Sequence, residues 1–199
     1  TWPANLYQRH AELQDAIIIG IQFDRSNFER EMNAARLAVM QVMDQGGLEG
    51  IDYALIECTN EESSQFDNLT QDEANLQISE YLANEIGVQA IVGPATSDRV
   101  DAAYLAIEPY GTLLMSPTAT SPGLTELDGL RSTDAEPGLL WRTAPPDDLQ
   151  GAVLAEYIAN GDIAGDEKPL LNTMDVIYEE GPYGTALASL FSEEFKARG

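Results

Sequence analysis

The 199-residue chain has one cysteine, Cys58, and one histidine, His10. A single cysteine excludes an intrachain disulfide and any cysteine-rich zinc centre. A single histidine excludes a multi-histidine metal site, and a Ser-His-Asp or Cys-His arrangement would have to use His10. Basic residues are scarce. Ten Lys and Arg stand against 34 Asp and Glu, a formal net charge of −24, and the only lysines are Lys168 and Lys196. Such a balance argues against nucleic acid, whose phosphates need a clustered basic surface, and against docking on an anionic membrane. No apolar run approaches the ~20 residues of a membrane span. No GxGxxG or P-loop pattern is present, so a phosphate cradle is not expected, and no cofactor is implied. The chain opens at Thr1 without a charged n-region or apolar h-region, which reads as a signal peptide removed or not included.

What is present reads as a folded α/β chain. The hydrophobic fraction of 44% is ordinary, so the acidity belongs to the surface; an acidic, lysine-poor surface suits an extracytoplasmic or salty setting. Ala16 to Phe23 is nearly continuous apolar, as a strand buried on both faces should be. Ser26-Asn-Phe-Glu29 has the form of a capping box, followed by a stripe of Phe28, Met32, Ala35, Val39 and Met43 and a stop at Gly46-Gly47. A strand over Ile51 to Glu57 follows. Thr70-Gln-Asp-Glu73 is a second capping box, with Ala74, Ile78, Leu82 and Ile86 as its stripe and Gly87 as its end. A third strand spans Gln89 to Gly93, a helix runs from Ser97 to Tyr110, and a fourth strand spans Thr112 to Ser116. This alternation predicts right-handed βαβ crossovers and a doubly wound parallel sheet.

After Asp128 to Pro137, a polar stretch without periodicity, the pattern predicts a short strand over Leu139 to Arg142. A helix begins at Asp147-Asp-Leu-Gln150 and ends at Asn160-Gly161. A strand over Thr173 to Glu179 and a helix over Tyr183 to Arg198 complete the reading. The expected division is an N-terminal extension over 1–15, a first lobe over 16–127, a connection over 128–138, and the incomplete beginning of a second α/β lobe over 139–199.

Ligands of open α/β sheets sit beyond the carboxyl ends of the strands. That rule selects Asp24-Arg-Ser26, Thr96-Ser97 and Ser116 to Ser121. The last two loops are rich in hydroxyls and poor in charge. Ser97 at a helix start suits a carboxylate, because free amides and the helix dipole favour an anion there; it also reads as a plain N-cap. Asp24 suits either a cap or the cleft. The pairs Glu61-Glu62, Asp147-Asp148 and Glu179-Glu180 read as solvated faces.

These residues resemble a known family. Ile91-Val-Gly-Pro-Ala-Thr-Ser97 is similar to the strand and serine turn of type I periplasmic binding proteins of the branched-chain amino-acid group. Leu114 to Thr125 resembles that group's serine-proline loop, and Trp141 to Gly151 its crossing into lobe two. Val176 to Gly184 and Phe195 to Gly199 resemble the first strand and helix of that lobe, and Gly46-Gly47 with Gly50 its glycine-rich turn. The resemblance implies the N-terminal part of a two-lobed, non-catalytic, hinge-closing receptor for an amino acid or small carboxylate. Its partner would be an ABC transporter permease, in the periplasm or outside the cell, with a lipid anchor in a segment not present here. Ser97 would hold the ligand carboxylate. Thr118 would offer a carbonyl and Thr120 a hydroxyl, while Tyr183 would close from lobe two. Ala119, Thr96 and Asp24 complete the ligand-binding set implied. The same fold would serve the ligand-sensing ectodomain of a signalling receptor, and a Rossmann-like enzyme is the rival of a different class. Thr120→Ala is expected to leave folding nearly intact and to weaken binding by about 1–3 kcal/mol.

Overall fold

The computed structural model describes residues 13, 15–59, 68–129, 137–159 and 173–198. Most of the expected N-terminal extension, with His10, lies outside them, as do Glu61-Glu62, Asn160-Gly161 and Lys168.

Five parallel strands form one sheet: β1 (Ile17–Phe23), β2 (Tyr53–Thr59), β3 (Ala90–Val92), β4 (Leu113–Ser116) and β5 (Leu140–Arg142). Their order is β2-β1-β3-β4-β5. The chain goes from β1 outward to β2, returns across β1 to β3, and then proceeds in one direction; the reversal opens a crevice at the carboxyl ends of β1 and β3. Tyr53 pairs opposite Ile17, and Thr59 opposite Phe23. The second strand therefore begins two residues later than the apolar run suggests, because Ile51 is taken into an isolated bridge with Leu48. The stretch expected as a strand over 139–142 pairs with β4 as the edge of this same sheet.

Helix α1 (Arg25–Asp44) follows β1. Its cap is Asp24, whose carboxylate accepts the Ser26 amide, rather than a box built on Ser26. The Asp side chain reaches the amide two residues on, so the helix starts earlier and Ser26 falls inside its first turn. Met32 is the buried centre of the expected stripe, and Phe28 leaves helical geometry to stack on Phe23 at 5.8 Å. Helix α2 (Gln71–Glu80) opens with the Thr70–Glu73 capping box. It continues as one π-type turn, Tyr81–Ile86, and ends on Gly87 in the left-handed conformation. Helix α3 (Ser97–Ile107) buries Val100, Tyr104 and Ile107.

Helices α2 and α3 cover one face of the sheet, where Ile18, Ile78, Leu82, Ile91, Tyr104, Ile107 and Leu114 form the main core. Gly20 permits this contact, since a Cβ there would stand 2.8 Å from Leu82. A polar seam runs through the same face. Gln22, fully buried in β1, donates to Asn75 Oδ1 at 2.7 Å and lies 2.9 Å from the Ser79 hydroxyl of α2 as its acceptor. Helix α1 packs on the opposite face, against Ile21, Phe23 and Ala95.

Cys58, 5% exposed, sits in the main core, and burial pushes its thiol up to about 12. Because the thiolate is the nucleophile, native protein at pH 8 is expected to be inert to an aromatic disulfide reagent and to release one equivalent of chromophore once unfolded in urea. Rapid labelling without denaturant would contradict this burial.

Two further helices follow, α4 (Asp147–Ala159) and α5 (Pro182–Ala197). They pack through Gly151, where a Cβ would stand 3.2 Å from Leu190. The strand expected over 173–179 is not formed: these residues carry no ladder and are exposed, Ile177 almost completely. A strand needs a neighbour for its amides and carbonyls, and none lies beside this stretch among the described residues. On α4, Val153 and Tyr157 are likewise exposed, while Gly151 and Ala155 face inward.

Candidate functional site

The loop after β4 is held from every side by short hydrogen bonds. Ser116 Oγ donates to the Pro94 carbonyl at 2.7 Å, and the Ala119 amide donates to Ser116 Oγ at 3.2 Å. Thr118 Oγ1 donates to the Ala95 carbonyl at 2.7 Å. Ser97, 3% exposed in the first turn of α3, accepts the Thr120 and Ser121 amides on its hydroxyl at 3.3 and 3.1 Å. From β5, Arg142 donates to the Ser121 carbonyl at 2.7 Å.

Around this loop the N-terminal ends of three helices converge. α3 begins at Ser97, with Thr96 as an N-cap that makes no side-chain bond. α4 begins at Asp147, which exchanges two bonds with Thr120: its amide donates to the Thr120 carbonyl and its carboxylate accepts the Thr120 hydroxyl, both at 2.9 Å. α5 begins at Pro182, whose carbonyl accepts the Ser121 hydroxyl at 3.0 Å. Gly181, immediately before α5, lies so close to α3 that a Cβ would stand 2.2 Å from Asp98 Oδ1.

Between them lies a cleft of about 630 Å³ lined by Thr96, Ser97, Thr118, Thr120, Gln150 and Tyr183, with Phe28 and Ala95 on its apolar side. Four carboxylates, Asp72, Asp98, Glu179 and Glu180, and one guanidinium, Arg99, also line it. Arg99 is committed to Asp72 and Gln71, each at 2.7 Å. Free amides at a helix start attract an anionic group, while the surplus of carboxylates favours a cation nearby. The cleft therefore suits a small ligand carrying both charges.

Of the seven residues expected at a ligand, five line this cleft: Thr96, Ser97, Thr118, Thr120 and Tyr183. Ala119 is 1% exposed and faces the core with its amide on Ser116. Asp24 caps α1, receiving hydrogen bonds from Ser26, Asn27 and Gln71. Burial pushes its carboxyl up, but these hydrogen bonds outweigh that and hold it below the usual carboxylate range. A lowered folded value means a stabilising contribution present above about pH 4 and lost as pH falls through it. Asp24→Asn is accordingly expected to flatten the acid limb of the stability profile, measured by urea unfolding between pH 3 and 6.

Asp147, Glu179 and Glu180 were expected on solvated faces. Glu179 and Glu180 are exposed as expected and also line the cleft, whereas Asp147 is 1% exposed. Paired acids are usually solvated, and nothing local distinguishes Asp147 from Asp148; only the return of the chain from β5 to the β4 loop buries it. Its bond to Thr120 also alters the expectation for Thr120→Ala. Removing the hydroxyl strips a buried carboxylate of its side-chain partner, so the variant is expected to lose about 1–3 kcal/mol of stability as well as affinity. Chemical denaturation of the ligand-free protein checks this.

No protein-family model matches the chain. Among proteins of known role, it is 28% identical over 174 residues to the Leu/Ile/Val-binding protein BraC3 of Rhizobium johnstonii, covering 84% of this chain and 39% of that one. It is 30% identical over 154 residues to Leu/Ile/Val-binding protein homolog 1 of Brucella abortus, covering 77% of this chain and 35% of that one. Among solved structures, the ABC transporter substrate-binding protein of Desulfitobacterium hafniense in complex with Leu superposes with a TM-score of 0.66 at 26% identity, over 92% of this chain and 48% of that one. The chain is a homologue of the branched-chain type I periplasmic binding proteins. It spans about two fifths of the length of these curated relatives, matching their N-terminal part. These homologues are binding proteins and not enzymes. Among the described residues of this homologue, no helix is long and apolar enough to cross a membrane, and no cluster of three His, Cys, Asp or Glu side chains is placed to hold a metal ion.

Proposed function

We propose that this homologue is the ligand-binding part of an extracytoplasmic solute receptor that captures a small α-amino acid and hands it to an ABC transporter. In this reading residues 16–127 with β5 form the first lobe, and α4 and α5 begin the second. The observation that carries it is the cleft where the α3 amides and Ser97 meet Thr118, Thr120 and Tyr183, walled by four carboxylates. A ligand carboxylate placed at the start of α3 is stabilised by unpaired amides, and an ammonium on the other side by Glu179 or Glu180. Neutral hydroxyls can orient both ends without burying an unpaired protein charge. The relatives' names, and the leucine complex of one solved neighbour, point to an aliphatic side chain lying on Phe28 and Ala95.

A thermal-shift series with L-leucine, L-isoleucine, L-valine, L-aspartate and 4-hydroxybenzoate tests the reading. Leucine at 1,000 times its dissociation constant adds about 4 kcal/mol of stability. A raised melting temperature with aliphatic amino acids alone supports the proposal; a shift with 4-hydroxybenzoate alone, or with none of the five, overturns the amino-acid assignment.

A further inference from the structure

The two buried partners of the β4 loop, Ser97 and Asp147, differ in what they leave available. The Ser97 oxygen accepts two amides, from Thr120 and Ser121, so both of its lone pairs are engaged and its proton is left to donate. Asp147, as a carboxylate, has no proton to give. The hydrogen bond of 2.9 Å between it and Thr120 therefore has one possible direction, with the Thr120 hydroxyl as donor. A threonine hydroxyl carries a single proton. Thr120 lines the cleft, and once its proton is committed to Asp147 its hydroxyl oxygen can only accept.

We infer that Asp147 is a positioning residue that fixes the Thr120 hydroxyl as an acceptor beside the Ser97 donor, and so favours ligands that bear an ammonium as well as a carboxylate. The inference rests on the amino-acid reading above and adds to it the residue that holds the Thr120 hydroxyl in its acceptor direction. Three features keep Asp147 in this role. Its own amide donates to the Thr120 carbonyl, which closes a two-bond ring between the residues. It stands in the first turn of α4, where the helix dipole favours a negative charge. Its other oxygen, Oδ1, is enclosed with no hydrogen-bond partner among the described residues, which leaves Thr120 as the side chain's only anchor. A buried carboxylate with one oxygen unpaired is a cost retained for a reason, and holding a neighbouring proton away from the cleft is such a reason.

The test compares the chain with its Asp147→Ala and Asp147→Asn variants, using calorimetry with L-leucine, 4-methylpentanoate (leucine without its ammonium) and 3-methylbutylamine (leucine without its carboxylate). Leucine is expected to bind at least about tenfold more tightly than either analogue. In Asp147→Ala the Thr120 proton is free to turn into the cleft, and the preference for leucine over 4-methylpentanoate is expected to fall by about tenfold. In Asp147→Asn the amide oxygen still accepts that proton, and most of the preference is retained. An unchanged preference in folded Asp147→Ala overturns the inference. A ligand-free readout guards against a variant that fails to fold: in the unsubstituted protein, the Thr120 hydroxyl proton should exchange slowly in NMR spectra and show a through-space contact to the Asp147 methylene. A rapidly exchanging hydroxyl overturns the inference, whatever the variants do. A protected hydroxyl in a chain that does not bind leucine supports the fixed polarity and overturns the amino-acid reading alone.

Discussion

Ser97→Ala is expected to weaken leucine binding roughly 10- to 100-fold and, without ligand, to lower stability by about 2 kcal/mol. The two losses have separate causes. The serine proton is the donor available to a ligand carboxylate, and a hydrogen bond to a charged group contributes about 1.5–3 kcal/mol. The serine oxygen is the acceptor for the Thr120 and Ser121 amides. Ser121 is 2% exposed, so its amide would lose its partner where water does not readily replace it. Ser97→Thr serves as the control, since it keeps the hydroxyl as donor and acceptor and adds only a methyl group to a buried position. Calorimetric titration gives the first quantity and urea unfolding the second. A Ser97→Ala variant with unaltered unfolding midpoint would show that the serine does not hold the loop; unaltered affinity would remove it from the site.

Gly93→Ala is expected to be severely disruptive, costing more than about 4 kcal/mol or abolishing cooperative unfolding. Gly93 directly follows β3 with φ at +104°, a conformation that side chains disfavour. A Cβ there would stand 2.1 Å from the Gln22 carbonyl oxygen in β1. That neighbour is backbone in an interior strand of the sheet, so it cannot turn aside as a side chain could. Gln22 also carries the buried bonds to Asn75 and Ser79 that join β1 to α2, and displacing it would disturb both. Gly46→Ala supplies the control. Gly46 has a similar φ of +91° but open space where a Cβ would go, so it is expected to cost only about 1–2 kcal/mol, the dihedral penalty alone. Equal losses in the two variants would mean that the collision with Gln22 is not the cause.

The lobe was legible where local chemistry and burial agree. The Thr70–Glu73 box, the stripe from Ala74 to Ile86 and Gly87 all lie within one helix and its ends, and each is satisfied by residues close in sequence. Ser26 misled for a related reason. Two side chains near one helix start could serve as its cap, and Asp24 prevails because the strand delivers it with extended geometry while Asn27 and Gln71 hold its second oxygen. The stretch 173–179 holds an apolar, β-branched run that suggests a strand, yet a strand is a property of two chains of backbone, and the second is absent beside it among the described residues.

The site divides along the same line. Strand ends followed by uncharged, hydroxyl-bearing loops mark Thr96, Ser97, Thr118 and Thr120, because the parallel order of strands forces those loops to one edge. The sequence by itself determined the parallel sheet, the helix faces and the edge on which a ligand would lie, since periodicity and capping act over a few residues. Only the tertiary structure decided which hydroxyl donates and which accepts. The polarity of Ser97 depends on the Thr120 and Ser121 amides and that of Thr120 on Asp147, 27 residues beyond it, carried round through β5 and buried beside it; no local pattern encodes the direction of a hydrogen bond between residues that the fold alone makes neighbours.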